Sequence, residues 1–178
     1  MRYCRSCGSQ LSNPFLNLGN SPLANHYLTE DETHLKENYY PLEVYYCHNC
    51  SLVQIDEFER PDKIFSQDYA YFSSYSQTWL NHCKNYAEIM IKKFKFSHNS
   101  FILEIGSNDG YLLQYFKNKN IPVRGVEPAK KTAEVAMMKG IPTDITFFNS
   151  NYAKKMASDG FFADLIIGNN VLAHNPNL

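Results

Sequence analysis

The stretch Phe101–Phe116, FILEIGSNDGYLLQYF, joins a short apolar run to a helical pattern through a turn of small and polar residues. Phe101, Ile102, Leu103 and Ile105 suit a strand buried on both faces of a parallel sheet. Leu112, Leu113 and Phe116 then recur at helical spacing. Between them, Gly106 and Gly110 permit close backbone approach or positive φ, and Asn108 and Asp109 are expected to cap the helix that follows. A ligand fits on such a turn. The dinucleotide fingerprint G-x-G-x-x-G uses its second glycine to let a pyrophosphate touch the backbone. Asn108 stands in that place here, so pyrophosphate is not the favoured ligand.

Beyond this turn the pattern of strand and helix repeats. Pro122–Val126 reads as a second strand ending at Glu127, roughly the twenty-residue offset at which an acidic side chain meets a ribose diol. Pro128 suits a helix start, and Ala133, Val135, Ala136, Met137 and Met138 run helically to Gly140, a natural stop. A third strand is expected near Pro142–Ile145, a helix over Asn149–Ala157, and a fourth strand over Ala163–Ile167. The alternation predicts a parallel sheet with right-handed crossovers. In open sheets of this class ligands bind outside the carboxyl ends of the strands. Gly106, Ser107, Asn108, Asp109, Gly110, Glu127, Asn169 and Asn170 all fall there and are the expected cofactor-binding residues, and His174 after the fourth strand is either a substrate contact or a capped or solvent-facing residue.

Composition bounds the rest. The chain has 178 residues, 44% hydrophobic and 15% aromatic, enough for a real core. A net charge of −1 gives no sign of a nucleic-acid or membrane surface. The start, MRYCRSCG, has no apolar stretch after its basic residues, and no run approaches a membrane span of about twenty residues. A cytoplasmic protein is expected.

Four of the five cysteines form two C-x-x-C pairs, Cys4/Cys7 and Cys47/Cys50. In a reducing compartment such pairs point to metal or redox chemistry. Each pair lets two thiolates of one turn grip the same ion, and two pairs complete a closed tetrahedral zinc site. An iron–sulfur cluster is the lesser alternative, and a thioredoxin-like dithiol fits less well because neither pair sits in a strand-to-helix context. The intervening segment, including FLNLGNSPLANHYL, is expected to be a loop stapled at its base by metal. Leu42–Tyr46 and Leu52–Ile55 read as a hairpin with the metal at its tip. Cys83 falls on an apolar helical face and reads as a buried thiol.

Residues 1–66 therefore make a zinc-binding module, and residues 67–178 a partial Rossmann-like domain of α/β class. At their junction lies DYAYFSSYS, residues 68–76, whose Tyr69, Tyr71, Ser74 and Tyr75 either roof a ligand site or bridge two domains. From Gln77 the pattern turns helical, with Leu80, Cys83, Tyr86, Ala87, Met90, Ile91 and Phe94 on one face.

The pattern Glu104-x-Gly106-x-Asn108-x-Gly110 resembles the nucleotide loop of Rossmann-like methyltransferases that use S-adenosylmethionine. The two C-x-x-C pairs, DYAYFSSYS, LEIGSNDGYLL, GVEPA, GIPTDITFFN and NNVLAHNPN, in that order, resemble the C-methyltransferases of nucleotide-linked deoxysugars across essentially the whole chain. The resemblance implies S-adenosylmethionine on Gly106–Gly110, its ribose on Glu127 and its adenine near Asn149 or Asn169. It also implies a nucleotide-linked keto-sugar as substrate, contacted by Tyr71, Ser74, Tyr75 and His174, and structural zinc on Cys4, Cys7, Cys47 and Cys50. Family members are roughly twice as long, and their catalytic His and neighbouring Glu lie in a later segment that has no counterpart here. The chain is accordingly expected to be a truncated member, inactive alone, with its fourth strand at a sheet edge open to a second copy or a complementing chain. The alternative is a non-catalytic zinc-containing module that binds S-adenosylmethionine or a partner.

Overall fold

The structure is a computed structural model and describes residues 1–65 and 69–174. The expected domain boundary between residues 66 and 67 lies outside the described residues, as do Asp68 of the aromatic segment and the tail after His174. Two compact units are present, Met1–Ile64 with the segment from Leu172, and Phe65–Val171.

The N-terminal unit is a three-stranded antiparallel sheet of β1 (Leu16–Ser21), β2 (Tyr40–Tyr46) and β3 (Val53–Ile55), in that order, followed by the one-turn helix α1 (Pro61–Ile64). β2 and β3 form the expected hairpin, with Val44 opposite Ile55 and Tyr46 opposite Val53. β1 corrects the expectation of a plain stapled loop. Leu16 and Asn17 pair with Val44 and Glu43, and the register shifts before Asn20 and Ser21 pair with Pro41 and Tyr40. In LNLGNS only Leu16 and Leu18 alternate with polar residues, both stay exposed, and Gly19-Asn20 reads as a turn, so the pattern hid a strand held by backbone pairing at a sheet edge. The buried core of this unit is small: Cys4, Leu11, Tyr45 and Cys47, with Leu52 against it.

The second unit opens with α2 (Gln77–Phe94), capped by Ser76, whose Oγ accepts from Trp79 N at 3.2 Å. Cys83 and Ala87 are buried, and Leu80, Tyr86, Met90 and Ile91 pack beside them, whereas Phe94 of the same periodic set is half exposed on the last turn. The sheet follows as β4 (Ile102–Ile105), β5 (Val123–Val126), β6 (Thr143–Asp144) and β7 (Leu165–Ile167), all parallel, in the order β6-β5-β4-β7. Helices α3 (Leu113–Lys117), α4 (Lys130–Met138) and α5 (Ser150–Ser158) make the crossovers. Phe116 of α3 and Ala136 of α4 join α2 on one face over Ile102 and Val123, while Met156 of α5 covers Leu103 and Val126 on the other.

Three local expectations change. Leu112, not Asn108 or Asp109, precedes the first turn of α3, and no side chain caps it, because both polar side chains are engaged elsewhere. α4 begins at Lys130, so Pro128 stands before the helix, with the Glu127 carboxylate accepting from Ala129 N at 2.8 Å. β7 begins at Leu165 because Asp164 is spent on Phe101: its backbone N donates to Phe101 O at 2.8 Å and its Oδ2 accepts from Phe101 N at 2.7 Å.

Candidate functional site

The strand order reverses between β4 and β7, the point at which open parallel sheets leave a crevice at their carboxyl ends. Gly106–Gly110 leaves β4 there, Glu127 ends β5, and Asn169 and Asn170 follow β7. Gly106 and Ser107 both donate to Val126 O, at 2.8 and 3.3 Å, which folds the loop back over β5. At Gly110, φ is +75°, and an added Cβ would lie 2.3 Å from Ile141 Cδ1, so only glycine fits.

Asn108 also has positive φ, 49°, a conformation asparagine tolerates better than most residues. Its side chain is a clasp: Oδ1 accepts from Ser73 N at 2.9 Å and Nδ2 donates to Tyr71 O at 2.9 Å. Ser74 Oγ donates to Asp109 Oδ2. Lys139 Nζ completes the closure, donating to Asp109 O at 2.8 Å, to Asp109 Oδ2 at 3.3 Å and to Ser74 Oγ at 3.2 Å. The segment Tyr71–Tyr75 thus lies on the loop, held by its backbone and by Ser74, while the Tyr71 and Tyr75 rings are exposed. Asn169 Nδ2 reaches the Tyr111 hydroxyl at 3.3 Å, and Asn149 caps α5 through Tyr152 N at 2.9 Å. His174 ends an exposed 3-10 turn outside the compact unit that contains the loop.

Three buried carboxyl groups cluster at this end of the sheet. Glu127 is 5% exposed and Glu104 and Asp109 are fully buried. Glu127 braces the loop, accepting from Asn108 N at 2.8 Å through Oε2 and from Ala129 N through Oε1. A carboxylate offers about four acceptor positions, so two remain for a ribose diol. Neither oxygen of Glu104 has a hydrogen-bond partner, and Ser107 Oγ and Asp109 Oδ1 are likewise unsatisfied. Orphaned buried acceptors call for a donor-rich or cationic ligand. S-adenosylmethionine, with a sulfonium, an ammonium and a ribose diol, fits that set. A pyrophosphate would face three carboxyl groups. In the sequence Glu104 opens the loop pattern but has no role of its own; its burial without a partner is what the structure adds, and Lys139 and Tyr111 carry no sequence signal.

Burial pushes the Glu104 carboxyl well above its ordinary value of 4.5, opposed by the Tyr111 hydroxyl and reinforced by the charges of Glu127 and Asp109. Burial also raises Glu127, against the N–H groups of Ala129 and Asn108. Both groups therefore hold protons more tightly folded than unfolded. From the unfolded value of about 4.5 up to the raised folded values the native state binds the extra protons, so this contribution is complete below that window and fades as pH rises through it. The ligand-free second unit is expected to lose stability as pH rises above about 4.5 and these two groups ionise, and Glu104→Gln to flatten the loss in urea titrations. A rise in stability over that range would contradict this.

A cavity of about 540 Å³ opens at the opposite sheet end, lined by Phe101, Ile121, Pro122 and Phe161 among others. Its two cationic side chains are engaged: Lys117 Nζ on Lys139 O at 2.7 Å and Arg124 on Asp144 at 3.0 Å.

In the N-terminal unit the Sγ atoms of Cys4, Cys7, Cys47 and Cys50 all lie within 4.8 Å of one another. Cys4–Cys50 and Cys7–Cys47 are each 3.6 Å apart. A zinc tetrahedron with Zn–S bonds of about 2.3 Å has sulfur–sulfur edges of about 3.8 Å, so the cluster needs little adjustment to close on the ion. The two knuckles are the same turn built twice. In each, the first cysteine's carbonyl accepts from the fourth residue on, Gly8 N at 3.0 Å or Ser51 N at 2.8 Å, and its N–H reaches the fifth, Ser9 O at 2.8 Å or Leu52 O at 2.9 Å. Gln54 donates to Cys4 Sγ at 3.3 Å while its Oε1 accepts from Arg5 N at 2.9 Å, orienting the first knuckle from β3. The Cys7 thiol is pulled down to about 5 by the Asn49 side chain and then Ser9, and Cys4 is lowered by the Cys7 N–H and Gln54. Cys50 moves the other way, to about 12: the Leu52 N–H lowers it, but burial and the neighbouring Cys4, Cys7 and Cys47 thiols outweigh that. In the metal-free cluster the environment favours the thiolate at Cys4 and Cys7, and zinc binding must displace the proton from Cys50.

Residues 4–65 match a family described as "Putative zinc binding domain". Over 175 residues, 98% of this chain, the sequence is 27% identical to the C-methyltransferase NovU of Streptomyces niveus. The chain spans 41% of that protein's length. These two similarities bear out the resemblance drawn from the motifs, and the family match together with the four-cysteine cluster supports zinc as the metal.

Proposed function

We propose that the second unit binds S-adenosylmethionine across Gly106–Gly110 and Glu127, and that the complete site methylates a carbon of a nucleotide-linked keto-deoxysugar. The observation that carries the cofactor reading is the loop at the strand-order reversal beside three buried carboxyl groups, two of which, Glu104 and Asp109, hold unsatisfied acceptors. The substrate reading rests on the motif resemblance and on similarity to a C-methyltransferase. The cofactor supplies an electrophilic methyl group. This chain's part is to brace the ribose through Glu127, to offer acceptors to the cationic end, and to keep the loop closed through Asn108 and Lys139. Near a hundredfold excess of S-adenosylmethionine over its dissociation constant, the unit should gain about 2.7 kcal/mol of stability. Unchanged melting at saturating cofactor would sink the reading.

Carbon methylation α to a carbonyl also needs a base within hydrogen-bond reach. His82 is exposed on α2 and stacks on Trp79, and His98 lies on the turn before β4, at the amino end of the sheet. His26, His34 and His48 belong to the N-terminal unit. This favours a second reading, a cofactor-binding module without turnover of its own. With S-adenosylmethionine and a panel of nucleotide-linked keto-deoxysugars, we expect no methylated sugar by mass spectrometry. Turnover would show that the chain carries its own base, and its survival in His174→Ala would exclude His174.

β7 pairs only with β4 among the described strands, and Ile166 is 56% exposed on it. A free apolar edge invites another strand. Self-association through β7 is therefore part of the proposal, and a monodisperse monomer in sedimentation at high concentration would contradict it. No described helix is long and apolar enough to cross a membrane. The proposed location is the cytoplasm, where thiols stay reduced.

A further inference from the structure

Glu104 is the one carboxyl group of the crevice with both oxygens buried and unpartnered. It pairs in register with Gly125 of β5 and Ile167 of β7, so no neighbouring strand offers it a charge. Cys83 and Tyr86 face it from α2, Tyr111 and Asp109 from the turn, and Glu127 from the end of β5. None of these is a cation, and Lys139, the nearest lysine to the loop, is committed to Asp109 and Ser74. A carboxylate enclosed in this way has no counter-charge, and burial without one strongly favours the neutral acid.

Resting on the reading of this crevice as the S-adenosylmethionine site, we infer that Glu104 carries a proton in the ligand-free protein and surrenders it when the cofactor's ammonium arrives, so that binding is coupled to proton release. The balance is simple. The neutral acid and the ammonium combine to a carboxylate–ammonium pair, no covalent bond to carbon changes, and the proton passes to buffer. Binding should then strengthen by up to about tenfold per pH unit across the range in which Glu104 is protonated in the free protein and ionised in the complex.

The test is calorimetric titration in buffers of differing ionisation enthalpy near neutral pH, using S-adenosylmethionine, S-adenosylhomocysteine and methylthioadenosine, which lacks the amino-acid end. About one proton should leave per molecule of either amino-acid-bearing ligand, and none with methylthioadenosine. Glu104→Gln should still bind S-adenosylmethionine but lose the buffer dependence. Binding with no buffer dependence overturns the inference and leaves the cofactor reading standing. Equal release with methylthioadenosine also overturns it, by locating the proton elsewhere, and that arm needs no variant to fold. Failure of all three ligands to bind overturns both.

Discussion

Cys47→Ser is expected to abolish zinc retention and unfold the N-terminal unit, making Tyr3–Asn49 accessible to protease while the second unit keeps its structure. The size of the effect follows from how little else holds this unit together. Its buried core is four side chains, two of them zinc ligands. Structural zinc in small modules binds with an apparent free energy of about 10–16 kcal/mol, and because the site is formed by folding, that energy is folding energy. Arg2 adds an ion pair to Asp56 at 2.5 Å and lies over the Tyr45 ring, but its side chain is nearly half exposed, where such contacts contribute little. A chelator should act as the substitution does. Elemental analysis finding no metal in protein purified without chelator, or an intact N-terminal unit in Cys47→Ser, would refute the staple.

The second large effect is expected at Glu127. Glu127→Ala removes the acceptor of two buried backbone N–H groups, those of Asn108 and Ala129, as well as the proposed ribose contact. Each orphaned N–H costs about 1–3 kcal/mol, and the lost hydrogen bond between a charged group and ligand a further 1.5–3 kcal/mol or so in affinity. The variant should therefore melt earlier and bind S-adenosylmethionine roughly ten- to a hundredfold more weakly. Glu127→Gln keeps one acceptor oxygen and should recover part of the stability. Unchanged affinity in the alanine variant would show that the ribose is held elsewhere.

The parallel sheet was legible because FILEI, the run ending at Val126 and ADLII are short, apolar and separated by helical periods, a pattern in which local and tertiary preferences agree. The cysteine pairs were legible because their spacing encodes the turn that grips metal. β1 was not, since its two leucines stay exposed, the rest of its residues are polar or glycine, and its pairing is carried by the backbone. The loop was read only in part. Asparagine after a strand reads as a cap by local preference, but its amide is taken by Ser73 and Tyr71, about thirty-five residues earlier, a contact no local pattern contains. Glu104 shows the same limit: within the sequence it is the first residue of the loop pattern, and only its burial with no partner makes it the group proposed to meet the cofactor.

The central claim, that the loop after β4 holds S-adenosylmethionine and not a dinucleotide, is tested most directly by titrating the intact chain with S-adenosylmethionine and, separately, with NADH in a calorimeter. The expected result is saturable one-to-one binding of S-adenosylmethionine and no heat of binding with NADH, whose pyrophosphate would face Glu104, Asp109 and Glu127. Saturable binding of NADH, or none of S-adenosylmethionine, would contradict the account.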